Sequence, residues 1–562
     1  MLAVFVIATI LMFYAPMYGY QEGMQIFMSG GDFFAATCLR PGGFSDYVGC
    51  FFVQFFMYPV WIAAIMVLAI VGVQIVAKSI FIKNSPAPWA DFLSVSCALG
   101  LMLTVVNFNT MFGGVVAIVL ALLSVKISDL TKNIIILTLA TPLVYWATGG
   151  FCCMIYIIGV ALRHDFKKSL IGLGVNVLVL VFSCLITKNI MQDDSLWGTF
   201  VGVDYNRYAK IENFTWFIAI AVICVSLLLS KINVNISRLA LQIPLYAVVT
   251  VGLIAWMAHK YDKSVMLDYK IDKMVRYKQW SNIVATMSEC NYSSYQSQCY
   301  LNIALSELGI MDQKMFDVLQ IGPEGLMSAE INSTDKSIYN SEIFFRLGLL
   351  NISERLAVEA VESNDTHQKS ARQYKRLAEI SIIRNDKPLA MRYLNLLKKT
   401  IFYSAWAERA EQYLNDPAHT EPLADWKIMP LEMEKDVFYA PATKSDFLLH
   451  LLANNLKNQK VFNYSLGYLL LEKDIKRVYE LLLHCRPEGE MGVYIYEALL
   501  LYHYLYNKPE YEKIMATQND LTTRFRSFGN FMSSAEAQNI QKAKELFGKT
   551  YWFYYWLVSP SK

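Results

Sequence analysis

The chain has 562 residues, 50 Lys+Arg against 47 Asp+Glu, and 55% hydrophobic residues. The charges are unevenly spread: residues 1–259 carry 13 basic and 10 acidic side chains, whereas residues 260–562 carry 37 of each. This pattern excludes wholesale disorder and a single soluble enzyme, and a net charge of +3 confined to the apolar part gives no reason to expect nucleic acid as a partner.

Residues 1–259 read as a transmembrane domain. A membrane helix needs about 20 apolar residues, because about 30 Å of hydrocarbon is crossed at about 1.5 Å per residue. Nine candidate spans follow in order: 2–19, 52–77, 91–106, 111–125, 134–149, 151–162, 169–187, 214–230 and 239–258. The third to sixth are short. Their joins, at Asn107–Asn109 and Gly149–Gly150, read either as tight helical hairpins or as partly re-entrant segments. The first span has no basic segment before it and no small-residue cleavage site after it, so it is expected to stay as a helix and not be removed as a signal peptide.

With nine spans, four short basic loops share one side. They hold Lys78 and Lys83, Lys126 and Lys132, Arg163 with Lys167 and Lys168, and Lys231 with Arg238. The positive-inside rule makes that side cytoplasmic. Loops 20–51 and 188–213, with everything after residue 259, then face outward. Losing one span would scramble the pattern.

The ten cysteines follow the same division. Cys97, Cys152, Cys153, Cys184 and Cys224 lie in or beside spans and read as small apolar fillers. Cys38 and Cys50 share the first outer loop, and Cys290 and Cys299 share the outer domain. An oxidising exterior permits either pair to bridge or to stay reduced. No CxxC or Cys/His spacing suggests zinc, so no metal ligand is assigned.

Residues 260–562 read almost wholly as helix, with apolar residues at three- and four-residue spacing. Comparable turns fall at Asn351, Asp386, Asp474 and Lys508, separated by 35, 88 and 34 residues. A period near 34 is that of a tetratricopeptide helix pair. The fold class is therefore all-α: a polytopic transmembrane helical domain followed by a soluble α-solenoid, interrupted by an irregular crossing segment at 415–445. The concave face of such a solenoid binds peptides or other domains. The alternative is a packing role against the membrane part.

Chemistry is sought where polar groups meet the bilayer surface. The first outer loop holds Glu22, Asp32, Arg40 and Asp46 among two Gly-Gly pairs and several aromatic residues, an amphipathic mixture that suits the interface. One reading makes a carboxylate here a base on an acceptor hydroxyl, or a metal ligand. The other makes it a connecting helix whose acids face water. The second outer loop offers Asp193, Asp194, Asp204 and Arg207, a set that suits a phosphate clamped through a divalent ion, or a solvated turn. A divalent cation is the one cofactor these residue types suggest. No GxSxG, HExxH or Walker pattern occurs, which disfavours hydrolases of those types and ATPases.

The run Pro-Gly-Gly-Phe-Ser-Asp-Tyr-Val-Gly-Cys-Phe-Phe-Val-Gln-Phe-Phe-Met-Tyr-Pro (41–59), after an apolar first helix and before a helical tail, resembles an uncharacterised family of Bacteroidota inner-membrane proteins. That resemblance implies a multi-pass inner-membrane protein whose C-terminal domain is periplasmic. The acidic, amphipathic first outer loop, the many spans and the outer helical-repeat domain also resemble membrane glycosyltransferases of the GT-C fold. This second resemblance implies transfer of a sugar or glycan from a polyprenyl-phosphate carrier to a periplasmic acceptor, which a protein would satisfy. The catalytic acid would be Asp32, then Glu22 or Asp46. Arg40 and Arg207 would neutralise phosphate, with Asp193, Asp194 and Asp204 as further substrate-binding residues. The alternative is non-enzymatic: a membrane-anchored tetratricopeptide-like scaffold of a cell-envelope complex, holding a protein or peptide on its solenoid face.

Overall fold

The structure is a computed structural model of the chain. It describes every residue except 1, 132, 164–165, 192–194, 209–213, 233, 235–238, 291–293, 329–332, 364–368, 419–443, 455, 457, 486–489, 508–518 and 559–562. The described residues form an all-α protein without strands, and one isolated β-bridge joins Thr110 to Asn206. Two compact units interleave along the sequence. The first comprises Met1–Met266, Asn364–Lys375 and Met391–Asn415; the second comprises Leu267–Ser363, Arg376–Ala390 and Asp416–Lys562.

The first unit begins with α1 (Leu2–Gly23), then two short helices of the loop that follows it, α2 (Gly31–Cys38) and α3 (Gly43–Val53). It continues through α4 (Pro59–Phe81), α5 (Ala87–Val105), α6 (Phe112–Ile127), α7 (Ile134–Ala161), α8 (Phe166–Met191), the short α9 (Leu196–Val201), α10 (Phe214–Leu229) and α11 (Leu239–Lys260). Seven of the described helical segments are long and apolar enough to cross a bilayer, and α10 is a shorter apolar helix. The chain is a multi-pass membrane protein.

The segment α7 covers two of the nine expected spans, and its geometry shows a helical hairpin at their join. In a straight helix Leu137 and Tyr156 would stand about 28 Å apart. Instead the Tyr156 hydroxyl donates to the Leu137 carbonyl at 2.8 Å, and Cys153 Sγ lies 3.8 Å from the Thr141 carbonyl. The chain reverses at Gly149, whose φ of 76° and ψ of 169° fall where only glycine is at ease. Residues 134–148 and 150–161 are thus antiparallel legs of a helical hairpin.

Two antiparallel legs at α7 bring the basic loops to one end. Asp129, just past α6, is ion-paired with Lys83 at 2.5 Å, with Lys126 at 3.5 Å and with Arg163 at 2.8 Å. Lys83 and Arg163 come from the joins before α5 and after α7, and Lys126 from the last turn of α6. The fourth loop meets the first: Lys231 Nζ lies 3.4 Å from Asn84 Oδ1, and the Ser85 hydroxyl donates to the Ser230 carbonyl at 2.6 Å. Lys132 and Arg238 lie outside the described residues.

The second unit is built from antiparallel helices joined by one recurring turn. Five of the described helix ends combine a left-handed residue with the same hydrogen bonding: Lys278, Gly309, Gly348, Asn385 and Lys473. In each, the next N–H reaches back five residues, as in Leu349 to Phe344 at 2.8 Å, Asp386 to Ser381 at 2.9 Å and Asp474 to Leu469 at 3.0 Å. This is the hydrogen bonding of a Schellman motif, which satisfies carbonyls that the helix end would leave unpaired. The same turns start the next helix. Asp386 Oδ1 accepts the Leu389 N–H and Asp474 Oδ1 accepts the Arg477 N–H, both at 3.1 Å. Turns expected at Asp386 and Asp474 fall there; the one expected at Asn351 sits at Gly348–Leu349, because glycine takes the left-handed position. Lys508 lies outside the described residues, next to the left-handed Asn507. One continuous apolar core runs from Leu267 to Tyr554.

All ten cysteines are free thiols, so neither candidate disulfide forms. Cys38, Cys50 and Cys299 are buried among packed side chains, and Cys290 is partly buried.

Candidate functional site

The helix ends opposite the basic loops are drawn together by backbone hydrogen bonds. The Gly42 N–H donates to the Trp146 carbonyl at 2.7 Å, and the Val203 N–H to the Pro41 carbonyl at 2.9 Å. The Met111 N–H donates to the Tyr205 carbonyl at 2.8 Å, and the Arg207 N–H to the Asn109 carbonyl at 2.7 Å. The loop after α1, the α5–α6 join, the α7 reversal and the loop before α10 therefore form one assembly. Glycine makes the approach possible. A Cβ on Gly49 would lie 2.5 Å from the Gly113 nitrogen, closer than carbon and nitrogen pack. So α3 packs its Gly43, Ser45, Asp46 and Gly49 face against the bundle.

The candidate residues take distinct places. Asp32 is exposed in the first turn of α2, where a carboxylate complements the helix dipole, and it makes no hydrogen bond or ion pair among the described residues. Arg40 is exposed on the turn between α2 and α3. Asp46 is buried at the start of α3; its Oδ1 lies 4.0 Å from Cys50 Sγ. It shares the space over Gly113 with the ring of Tyr205. Tyr205 donates to the Gly42 carbonyl at 2.9 Å; burial drives its pKa well up, and the neighbouring Cys152 and Asp46 add to the rise.

Asp204 turns back on its own chain, accepting the Asn206 N–H at 3.0 Å. Partial desolvation raises its pKa above the ordinary aspartate value, and that hydrogen bond pulls it back. Asp193 and Asp194 lie outside the described residues. Among the described residues no group of three or more His, Cys, Asp or Glu is arranged to hold a metal ion.

Glu22 and Arg207 are the deeply buried charges. Glu22, at the C-terminal end of α1, is 2% exposed, and its Oε1 accepts the Tyr403 hydroxyl at 3.1 Å. Its neighbour Gln21 donates from Nε2 to the Phe108 carbonyl at 3.2 Å. Arg207, 1% exposed, points Nε at the same carbonyl from 3.4 Å and lays its guanidinium 5.2 Å from the Phe108 ring centroid. The loop before α10 thus delivers a buried cation to the residue that also anchors the end of α1.

Tyr20 and Tyr208 pack on the same ring, with centroids 6.0 and 6.1 Å from it. Residues 369–375 and 391–415 brace this end: the Ser370 hydroxyl donates to the Gly23 carbonyl at 2.6 Å, and Ser29 N–H to the Lys399 carbonyl at 2.8 Å. Sequence reasoning missed Phe108, Tyr403 and Gln21. Nothing local marks them, since Tyr403 is 381 residues from Glu22.

A buried carboxylate held by a phenol, next in sequence to the Gln21 that shares the Phe108 carbonyl with a buried guanidinium, can act as a proton acceptor. It can equally be a polar lock on the end of α1.

Residues 1–557 match the model of a family of unknown function (DUF6057), and the chain belongs to that family. No curated protein and no solved structure matches it.

Proposed function

We propose that this member of the family is a GT-C-like membrane glycosyltransferase that moves a sugar or glycan from a polyprenyl-phosphate carrier to a periplasmic acceptor, with Glu22 as its base in preference to Asp32. One observation carries the reading: a carboxylate buried at the C-terminal end of the first span, with Arg207 brought to the adjacent Phe108 carbonyl. Burying two charged side chains is costly without a use.

In the reaction, Glu22 takes the proton of an acceptor hydroxyl. The oxygen attacks the anomeric carbon of the donor. The bond from that carbon to the phosphate oxygen breaks, and the lipid phosphate leaves with the electron pair. Arg207 offsets the charge that grows on the phosphate. Tyr403 orients the Glu22 carboxylate. Asp32, exposed and unbonded, stays outside the proton transfer. Arg40, exposed on the loop, meets the phosphate at the surface.

The test is the profile of envelope glycoproteins and surface polysaccharides in a deletion strain complemented with wild type, Glu22→Gln or Asp32→Asn. The reading expects glycans to return with wild type and Asp32→Asn and to stay absent with a stably expressed Glu22→Gln. An unchanged profile in the deletion strain removes it. The scaffold reading, which the helix pairs of the second unit favour, would then stand, and capture of envelope proteins on that unit would follow.

A further inference from the structure

Within α1, residues Ile10–Tyr14 form a π-helical turn. Such a turn inserts an extra residue into the helix and is common where a helix meets a ligand. Beside it, α1 and α11 part to leave a groove of about 380 Å³. Its walls are apolar, with Phe5 and Phe13 on one side and Ile254 and Met257 on the other. One end is polar: Tyr261 and Lys263 close it just past the last residue of α11. Tyr261 is held there by edge contacts with Phe13 and Tyr14, at centroid distances of 5.7 and 5.8 Å.

The charges at that end are Lys260, Asp262 and Lys263. The Asp262 carboxylate is engaged by the next helix, accepting the Ser264 N–H at 2.8 Å. The groove is therefore an apolar channel inside the membrane-spanning part, ending at the interface in a tyrosine and a lysine. That is the arrangement that holds one acyl chain and attracts an anionic headgroup.

We propose that this groove is a binding site for a single bilayer phospholipid with an anionic headgroup, its chain between α1 and α11 and its phosphate at Lys263 and Tyr261. The inference does not depend on the transferase reading, because none of its residues belongs to the Glu22 assembly.

The test uses the full chain reconstituted in nanodiscs of equal parts phosphatidylglycerol and phosphatidylethanolamine, released into mild detergent, with retained lipids counted by native mass spectrometry. Wild type is expected to keep one phosphatidylglycerol. Ala258→Trp, which fills the groove from α11, is expected to lose it. Lys263→Gln is expected to keep a lipid but to lose its preference for phosphatidylglycerol by about fivefold, the effect of one lysine at a membrane surface. Equal retention in folded Ala258→Trp, or an unchanged preference in Lys263→Gln, overturns the proposal. Retention of a polyprenyl phosphate from the expressing cells in place of phospholipid overturns it as well. If Ala258→Trp fails to fold, Lys263→Gln decides alone, since that side chain is exposed.

Discussion

Glu497 makes the fold of the second unit sensitive to alkali. It lies in the helix Val493–Tyr506, is 1% exposed, and accepts the Tyr551 N–H through Oε2 at 2.6 Å. The Trp552 indole donates to the Glu497 carbonyl at 3.2 Å, so this residue receives the start of the C-terminal helix Tyr551–Leu557. Its other oxygen, Oε1, is buried without a hydrogen bond. Burial pushes its pKa from 4.5 up to about 8, against smaller downward pulls from the Tyr551 N–H and Arg524.

The folded chain therefore keeps a proton that the unfolded chain releases. The stabilisation is complete below pH about 4.5 and is lost as pH rises through about 8, and the rise in pKa corresponds to an upper value of about 5 kcal/mol. Amide exchange of residues 551–557, measured from pH 5 to 9 and corrected for base catalysis, reads this directly. The opening free energy should fall by several kcal/mol in wild type. In Glu497→Gln, which keeps the shape and cannot titrate, it should stay flat. Parallel curves for the two proteins would mean that Glu497 does not carry the pH dependence.

Gly49→Ala puts a Cβ 2.5 Å from the Gly113 nitrogen and should lower stability by about 1–3 kcal/mol or prevent folding, read as thermal unfolding in detergent. Gly72→Ala is the control, since a Cβ there meets nothing within 4 Å. Tyr156→Phe removes the 2.8 Å hydrogen bond across the α7 hairpin and should cost about 1 kcal/mol, visible as faster amide exchange at both legs and not elsewhere. Asp474→Ala removes the cap on the helix Ile475–His484 and should cost about 1 kcal/mol by the same measurement, with Asp474→Asn close to wild type.

What could be read from the sequence was whatever short-range pattern records. Apolar runs broken by lysines marked the helices of the first unit, and the lysine side of each loop anticipated the meeting of Lys83, Lys126 and Arg163 at Asp129. Asn385-Asp386 and Lys473-Asp474 announced their turns, because a left-handed residue and a cap are chosen by neighbouring chemistry. The Gly149–Gly150 pair pointed to a reversal but left its form open, which only the Tyr156–Leu137 contact decides. The residues around Glu22 were illegible for a different reason. Burial of Glu22 depends on Tyr403, and the place of Arg207 depends on Phe108, contacts 381 and 99 residues apart. Asp32 drew attention because it sits between glycines and phenylalanines, yet that same spacing starts a short helix with its acid outward.

The central claim is that Glu22 removes a proton during glycan transfer from a lipid phosphate. The most direct measurement places the purified chain in liposomes made with the source organism's own lipid-linked glycans and follows release of polyprenyl phosphate on adding a periplasmic extract. Wild type and Asp32→Asn should release it, and Glu22→Gln, folded and at equal abundance, should fall by at least about a hundredfold, the scale of a lost general base. Release at the wild-type rate from Glu22→Gln would contradict the assignment, and no release from wild type would contradict the transferase itself.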